Sequence, residues 1–182
     1  MRLPYVDNPP NFENEADQAI VQRVQERRGG RGLIPLDLTL LHSPPVADGW
    51  NTFLGSIRNR TNISTSIRET AICRIAALNK AWFEWDAHAP LLRHAGVVSE
   101  EGIKYILESP AGVDANEAGP FDREHAAVLM YTDQMTKDIR VLDTVMEQLR
   151  KLFTDREVVE ITATVAAYNC VSRFLVALDV GE

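Results

Sequence analysis

The stretch between Ser66 and Gly96 constrains the fold more than any other part of this chain, because its apolar residues recur at helical spacing. From Ala71 to Leu78 it is apolar on nearly every side, which is typical of a helix buried by its neighbours. No segment of the chain sustains the alternation of apolar and polar residues that marks a half-buried strand. We therefore predict an all-α fold.

Two polar side chains that can exchange protons interrupt the second half of this stretch. Glu84 and His88 are four residues apart, so on a helix they lie one above the other on the same face. A carboxylate beside an imidazole is a candidate acid–base pair, since histidine changes its charge near neutral pH. The spacing also fits a solvated surface pair or a hydrogen-bonded pair in the core, and these alternatives stay open at this point.

The length and charge of the chain limit its organisation and its partners. Its 182 residues suffice for one sizeable core, so we predict an extended arm over residues 1–15 and a single helical domain over 16–182. Hydrophobic residues make up 45% of the chain and charged residues 25%, which is ordinary globular composition. The net charge of −7 repels nucleic-acid phosphates and anionic lipids. We expect neither nucleic acid nor a membrane as a partner.

The sequence contains few signals for metal binding or targeting. Cys73 and Cys170 are the only cysteines, and no Cys/His spacing typical of a metal site occurs. On a helix, His94 does not share a face with Glu84 and His88, so we predict no metal and no cofactor. The N-terminus lacks the apolar segment of a secretion signal, and no apolar run approaches the roughly 20 residues that span a bilayer. We expect a soluble, cytoplasmic protein.

Apolar periodicity and terminating residues predict where the helices lie. Gly29-Gly30 ends the first helix and Pro44-Pro45 opens the next, while the apolar stretch 32–41 between them is assigned to no helix. Residues 108–120 have loop composition. The predicted helices cover 16–28, 44–58, 66–79, a following segment that ends at Gly96, 100–107, 122–137, 143–153 and 155–178.

Two helix starts share the sequence pattern of a capping box. Ser66 with Glu69, and Thr154 with Glu157, have the Ser/Thr-x-x-Glu spacing that satisfies free N–H groups in the first turn. An Arg-Glu pair and then an apolar helix ending in an Asn occur at both places, which indicates two degenerate helical repeats. Glu84 and His88 belong to the first repeat, and the second repeat has no counterparts of them.

Three blocks, at 40–58, 68–97 and 153–178, together resemble the carboxymuconolactone decarboxylase and alkylhydroperoxidase D-like superfamily. The middle block is the most specific, with an early Glu followed by a pattern that ends in Trp-x-x-His. The resemblance covers most of residues 15–180. It implies an AhpD-like helical bundle that acts on a small molecule and assembles into homo-oligomers (dimers, trimers or hexamers) with sites near subunit interfaces.

The resemblance assigns roles to individual positions. Counted from Glu69, the two cysteines of the peroxidase branch fall on Ala81 and Glu84, and its histidine falls on His88. Both sulfurs are missing, so the resemblance implies the non-redox chemistry of the family, a decarboxylation of a lactone acid or a related proton transfer. Its catalytic set would be His88 as acid or base, Glu84 orienting it or sharing its proton, and Glu69 as a second carboxylate.

The sequence says less about the substrate-binding residues and about the activity itself. Trp82 and Trp85 are candidates for lining an aromatic cavity, although aromatic residues at helical spacing also fit a plain core. Arg68 is a candidate partner for a substrate carboxylate. The alternatives to a cofactor-free lyase or isomerase are a non-catalytic helical oligomer or binding protein, and a residual peroxidase that uses Cys73 or Cys170. We expect Cys73, inside the apolar helix, to be inert.

Overall fold

The computed structural model describes residues 1–115 and 119–181, and within them all regular structure is helical, as predicted. The predicted loop 108–120 lies partly outside the described residues. The nine α-helices described there are α1 (Glu15–Arg28), α2 (Pro35–Leu40), α3 (Pro44–Asn59), α4 (Thr65–Asn79), α5 (Trp82–Ala95), α6 (Glu100–Glu108), α7 (Arg123–Lys137), α8 (Asp143–Leu152) and α9 (Asp155–Leu178).

Backbone contacts divide the described chain into two compact units, one of residues 1–60 with 177–181 and one of residues 61–176. In the first unit α1 packs against α3, and the apolar residues Ile20, Val21 and Val24 of α1 are buried. Residues 1–14 form no helix, but the N–H of Arg2 donates to the Leu178 carbonyl at 2.9 Å. The arm is therefore attached to its own unit at this point.

A short helix, α2, occupies the stretch that the sequence pattern left unassigned. Pro35 stands at its first turn and the Asp37 carboxylate accepts a hydrogen bond from the Ile34 N–H at 3.0 Å. Arg28 donates two hydrogen bonds of 2.7 Å to the same carboxylate, which is 2% exposed. The helix was not predicted because Asp37, whose carboxylate caps its start, lies within an apolar stretch of the sequence.

Helix α4 is the central element of the second unit, where it packs against α5, α6 and α7. Ten of its residues, from Ser66 to Ala76, are buried, as the apolar pattern predicts. Cys73 of α4 belongs to a core cluster with Ala89 and Leu92 of α5 and Ile106 of α6. This packing holds α4 and α5 side by side.

The connection between α4 and α5 consists of Lys80 and Ala81 alone. Lys80 adopts the left-handed conformation (φ 56°, ψ 37°), and its N–H donates to the Ala77 carbonyl at 3.2 Å. The Ala81 N–H donates to the Ala76 carbonyl at 2.9 Å. These two bonds form a Schellman motif, which satisfies the last carbonyls of α4 and fixes the direction in which α5 leaves it. At the other end of α5, Gly96 adopts the left-handed conformation, as predicted.

A buried ion pair joins α4 to α7 inside the second unit. The Arg74 guanidinium donates to both oxygens of Asp133, at 2.5 and 2.9 Å, and both side chains are almost inaccessible. Arg74 also donates to the carbonyls of Ile106, Ser109 and Pro110. The pair therefore fixes the end of α6 as well as the two helices.

One predicted capping box is correct and the other is wrong. Thr154 and Glu157 exchange hydrogen bonds at the start of α9, as the pattern predicts. At the start of α4 the capping residue is Ser64, whose hydroxyl accepts from the Ile67 N–H at 3.2 Å. Three consecutive Ser and Thr residues, 64–66, compete for this role, and the first of them takes it. Ser66 and Glu69 are thereby available for tertiary contacts.

The expectation that no helix is long and apolar enough to span a membrane is wrong for α9. By length and composition alone, Asp155–Leu178 passes this test, and half of its most apolar window is buried inside the protein. The core helix of a soluble protein passes the same test.

Candidate active site

Glu69 of α4 and His88 of α5 form a hydrogen-bonded pair inside the second unit. Nδ1 of His88 lies 2.6 Å from Oε2 of Glu69, and the two residues are only 5% and 2% exposed. An ionised carboxylate can only accept, so Nδ1 carries the proton of this bond. In the neutral ring, Nε2 is then the nitrogen that carries the lone pair.

Two neighbours hold this pair in place. The Arg68 Nε donates to the other carboxylate oxygen of Glu69 at 3.3 Å. The ring of Tyr168, from α9, meets the His88 ring edge to face, with centroids 5.1 Å apart and an angle of 86° between the planes. Tyr168 is fully buried. Sequence reasoning did not identify Tyr168 as a site residue, although it lies in the repeat segment that ends in an Asn.

Glu84 adds a second buried carboxylate, in the first turn of α5 and one turn before His88. It is 2% exposed. Burial raises the pKa of the Cys73 thiol far above its ordinary value, and the negative charges of Glu69 and Glu84 raise it further. Both carboxylates therefore lie close enough to the Cys73 thiol on α4 to act on it electrostatically. The Cys73 thiol stays protonated, which is consistent with the inert role predicted for it.

The other predicted residues lie in different environments. Arg68 is engaged with Glu69 and with the Thr65 hydroxyl, at 3.3 Å each. Trp85 packs, half-buried, against the core cluster that contains Cys73. Trp82 is 45% exposed in the isolated chain. The structure thus brings the two carboxylates and the imidazole together and gives the two tryptophans separate surroundings.

Glu69 makes an orienting hydrogen bond to His88, whereas the resemblance implied for it only the role of a second carboxylate. The i,i+4 relationship between Glu84 and His88 was visible in the sequence. The Glu69–His88 contact joins residues 19 positions apart, and it depends on the angle at which α4 and α5 pack. Among the described residues, no group of three or more His, Cys, Asp or Glu side chains could hold a metal ion.

Comparisons with known proteins identify relatives by structure and not by sequence. No family model matches the chain, and no curated protein matches it. An uncharacterised peroxidase-related protein from Ralstonia eutropha JMP134, described as an alkylhydroperoxidase AhpD core, has a similar structure. Its TM-score is 0.78 at 18% identity, with 98% of this chain and 90% of that chain covered.

Two further structures are similar along most of the chain. A peroxidase-related protein from Silicibacter sp. TM1040 has a TM-score of 0.74 at 15% identity, over 97% of this chain and 91% of its own. The debrominase Bmp8 has a TM-score of 0.67 at 15% identity, over 94% of this chain and 89% of its own. These likenesses establish the architecture: the chain has an AhpD-like helical fold.

Proposed function

We propose that this protein is a cofactor-free enzyme that transfers protons on a small organic acid or lactone, as a decarboxylase-like lyase or isomerase. The observation that carries the proposal is the 2.6 Å hydrogen bond between Nδ1 of His88 and Glu69 inside the second unit. A carboxylate in this position fixes the tautomer and stabilises the imidazolium that forms when Nε2 takes a proton.

The roles follow from this geometry. In a decarboxylation, the bond between the substrate carbon and its carboxylate breaks, carbon dioxide leaves, and the electron pair remains on the carbon. Protonated His88 delivers its Nε2 proton to that carbon, and Glu69 stabilises the charged ring before the transfer. Glu84, one turn away, is placed to share the proton with His88 or to reprotonate it. General acid catalysis of this kind contributes about 10²–10⁴-fold.

The proposal favours proton transfer over thiol chemistry because of the residues at the two positions equivalent to the peroxidase cysteines. Ala81 and Glu84 stand there, and the buried Cys73 thiol is held in its protonated form. Bmp8 is described as a debrominase, and a cysteine-to-alanine variant of that protein was crystallised with 2,3,4-tribromopyrrole. The same architecture thus accommodates a small ring compound in another protein, which is compatible with a lactone here.

We also propose the partners, the oligomeric state and the location of the enzyme. The partner is a small molecule, and the chain forms a homo-oligomer (dimer, trimer or hexamer) that binds neither nucleic acid nor membranes. The net charge of −7 supports the exclusion of anionic polymers and lipids. The cytoplasm is the proposed location.

The test begins with a search for ligands. Thermal-shift measurements on a panel of small organic acids and lactones, with carboxymuconolactone among them, should yield a compound that raises the Tm of the wild type but not that of His88→Gln. Decarboxylation, or exchange of the carbon-bound proton in D2O followed by ¹H NMR, should fall by about 100-fold or more in that variant.

His42→Gln is the matched control, since the ring of His42 is exposed and contacts the Pro4 carbonyl in the first unit. It should behave as the wild type. Full activity in His88→Gln would contradict the proposed role of the ring.

A non-catalytic helical oligomer or binding protein is the second candidate. The side chains of Glu69, Glu84 and His88 are only 2% to 5% exposed. This low exposure favours the non-catalytic function, because little of their surface can contact a substrate in the isolated chain. If no compound of the panel shifts the Tm or is turned over, this function replaces the enzyme.

A residual peroxidase is a third candidate, supported by the exposure of Cys170 and by the description of two similar structures as peroxidase-related. Peroxide consumption by the wild type that disappears in Cys170→Ser would support it. Consumption that persists when both cysteines are replaced by Ser would exclude thiol chemistry.

A further inference from the structure

A second histidine forms a hydrogen-bonded chain at the start of α4 and α7. Nε2 of His125 lies 2.7 Å from the Ser66 hydroxyl, and its Nδ1 lies 2.8 Å from Oδ1 of Asp122. Ser66 and His125 are each 4% exposed. The three residues belong to the second unit, and Ser66 lies one helical turn before Glu69 on α4.

The hydrogen-bonding capacities of the three groups determine where the protons lie. Burial tends to raise the pKa of Asp122, but hydrogen bonds from the backbone N–H and the ring of His125 outweigh it and lower the pKa below the ordinary value. Asp122 is therefore an ionised acceptor, and Nδ1 of His125 must carry the hydrogen of their bond. Nε2 of the neutral ring then accepts, and the Ser66 hydroxyl donates to it. This order of groups activates a serine as a nucleophile.

The chain of hydrogen bonds lies in the wall of a groove of about 500 Å³. Such a volume is within the range of small-molecule sites. The groove is formed by the start of α4, the end of α5 with the residues after it, and the start of α7. The lining residues that the argument uses are Ser66, Ala95, Val97, Asp122, Glu124 and His125.

The first turn of α4 supplies hydrogen-bond donors beside the Ser66 hydroxyl. The Ile67 N–H is taken by the Ser64 side chain, and the Arg68 N–H donates to the Ser64 carbonyl. The N–H groups of Thr65 and Ser66 precede the first bond inside the helix, so they have no acceptor within it. At the positive end of a helix, such groups stabilise a negative oxygen that develops during a reaction.

We propose that Ser66, His125 and Asp122 form a second active site, which hydrolyses small uncharged carboxylic esters bound in this groove. The groove carries the carboxylates of Asp122 and Glu124, which disfavour an anionic substrate. Ala95 and Val97 supply apolar surface, and Val97 is 60% exposed. Hydrolysis of the ester bond differs from the proton transfer proposed for His88, although a neutral lactone belongs to both substrate classes.

The reaction balances with water as the only other reactant. Ser66 Oγ forms a bond to the ester carbonyl carbon while its proton passes to Nε2 of His125. The carbon–oxygen bond to the alcohol part then breaks, and His125 returns the proton to the leaving alcohol. Water attacks the acyl group on Ser66, gives a proton to His125, and releases the carboxylic acid, with Ser66 regenerated.

A covalent probe tests the proposal on the intact protein. A fluorophosphonate should phosphonylate Ser66 with loss of fluoride, as read by intact mass and peptide mapping. Hydrolysis of p-nitrophenyl acetate should fall by about 100-fold or more in Ser66→Ala. Ser56→Ala is the matched control, because Ser56 lies in α3 of the other unit and its hydroxyl only bonds the Thr52 carbonyl; it should retain full labelling and hydrolysis.

Asp122→Asn separates catalysis from folding. Asp122 also caps α7 by accepting from the His125 N–H at 2.9 Å, and Asn caps helices as well as Asp. The variant should keep its thermal stability but lose at least about 10-fold in labelling rate, because an amide does not stabilise the imidazolium as a carboxylate does.

The labelling of the wild type decides the proposal even if Ser66→Ala does not fold. No label, a label on another residue, or a labelling rate unchanged in Asp122→Asn would overturn it and would show that the three residues only cap and join the helices. None of these results bears on His88, so this proposal and the proton-transfer function can fail separately.

Discussion

Nδ1 of His88 lies 2.6 Å from Oε2 of Glu69, although the two residues stand on different helices and are 19 positions apart. The contact favours the ring tautomer that carries its proton on Nδ1. Its geometry depends on the two-residue connection between α4 and α5.

Glu69→Ala should change the protonation pattern of the His88 ring. Without the carboxylate, Nδ1 loses its acceptor, and the population of the Nδ1–H tautomer should fall. Long-range ¹H–¹⁵N spectra of the histidine rings measure this directly and need no substrate. Glu157→Ala, at the corresponding position of the second repeat, should leave the His88 signals unchanged. Identical spectra for wild type and Glu69→Ala would mean that the hydrogen bond is absent in solution.

The Cys73 thiol should make the stability of the protein fall at alkaline pH. Its pKa is raised in the folded state by burial and by two carboxylates, so the unfolded chain loses this proton first. The contribution is complete below the unfolded pKa of about 8.5. Above that pH it is lost at about 1.4 kcal/mol per pH unit, until the folded thiol ionises too.

The measurement is the difference in free energy of unfolding between wild type and Cys73→Ala, from urea titrations between pH 7 and pH 10. The difference should shrink or reverse as the pH rises. A constant difference across this range would show that Cys73 ionises equally in both states.

Asp133→Asn should strongly destabilise the second unit. It leaves the buried Arg74 guanidinium without its countercharge, and breaking one side of a buried pair costs about 3–5 kcal/mol. Chemical denaturation measures the loss. The control is Asp48→Asn, which breaks the exposed pair with Arg23 and should change the unfolding midpoint little, because water solvates both groups. Equal effects of the two substitutions would contradict the importance of burial.

Lys80→Gly should stabilise the protein. Lys80 has a positive φ of 56°, which is unfavourable for a side chain but not for glycine, and the expected gain is about 0.5–1 kcal/mol. Thermal unfolding should show a higher Tm. Lys80→Val is the opposing control, since a β-branched residue is strained in this conformation and should lower the Tm. A lower Tm for the glycine variant would argue against the Schellman motif.

Local signals in the sequence predicted much of the fold. Apolar spacing located most helices, the Thr154–Glu157 box marked the start of α9, and Gly96 marked the end of α5. Each of these features involves residues within one or two helical turns. For the same reason the sequence showed that Glu84 and His88 share a helix face but not whether that face is buried.

The features that the sequence did not predict are tertiary contacts. Tyr168 reaches His88 from a helix far along the chain. Ser66 was interpreted as a cap because nothing local indicates that its hydroxyl meets His125, which is 59 positions away. Contacts of this kind depend on how the helices pack, and helix packing cannot be predicted from local patterns in one sequence.

The brevity of the α4–α5 connection has an evolutionary consequence. One inserted residue would break the two hydrogen bonds of the Schellman motif and change the direction in which α5 leaves α4, which would carry His88 away from Glu69. Selection on this site should therefore act on the length of the connection as strongly as on the residues themselves. Substitutions at position 80 that accept a positive φ should be tolerated, whereas insertions and deletions between Asn79 and Trp82 should be eliminated.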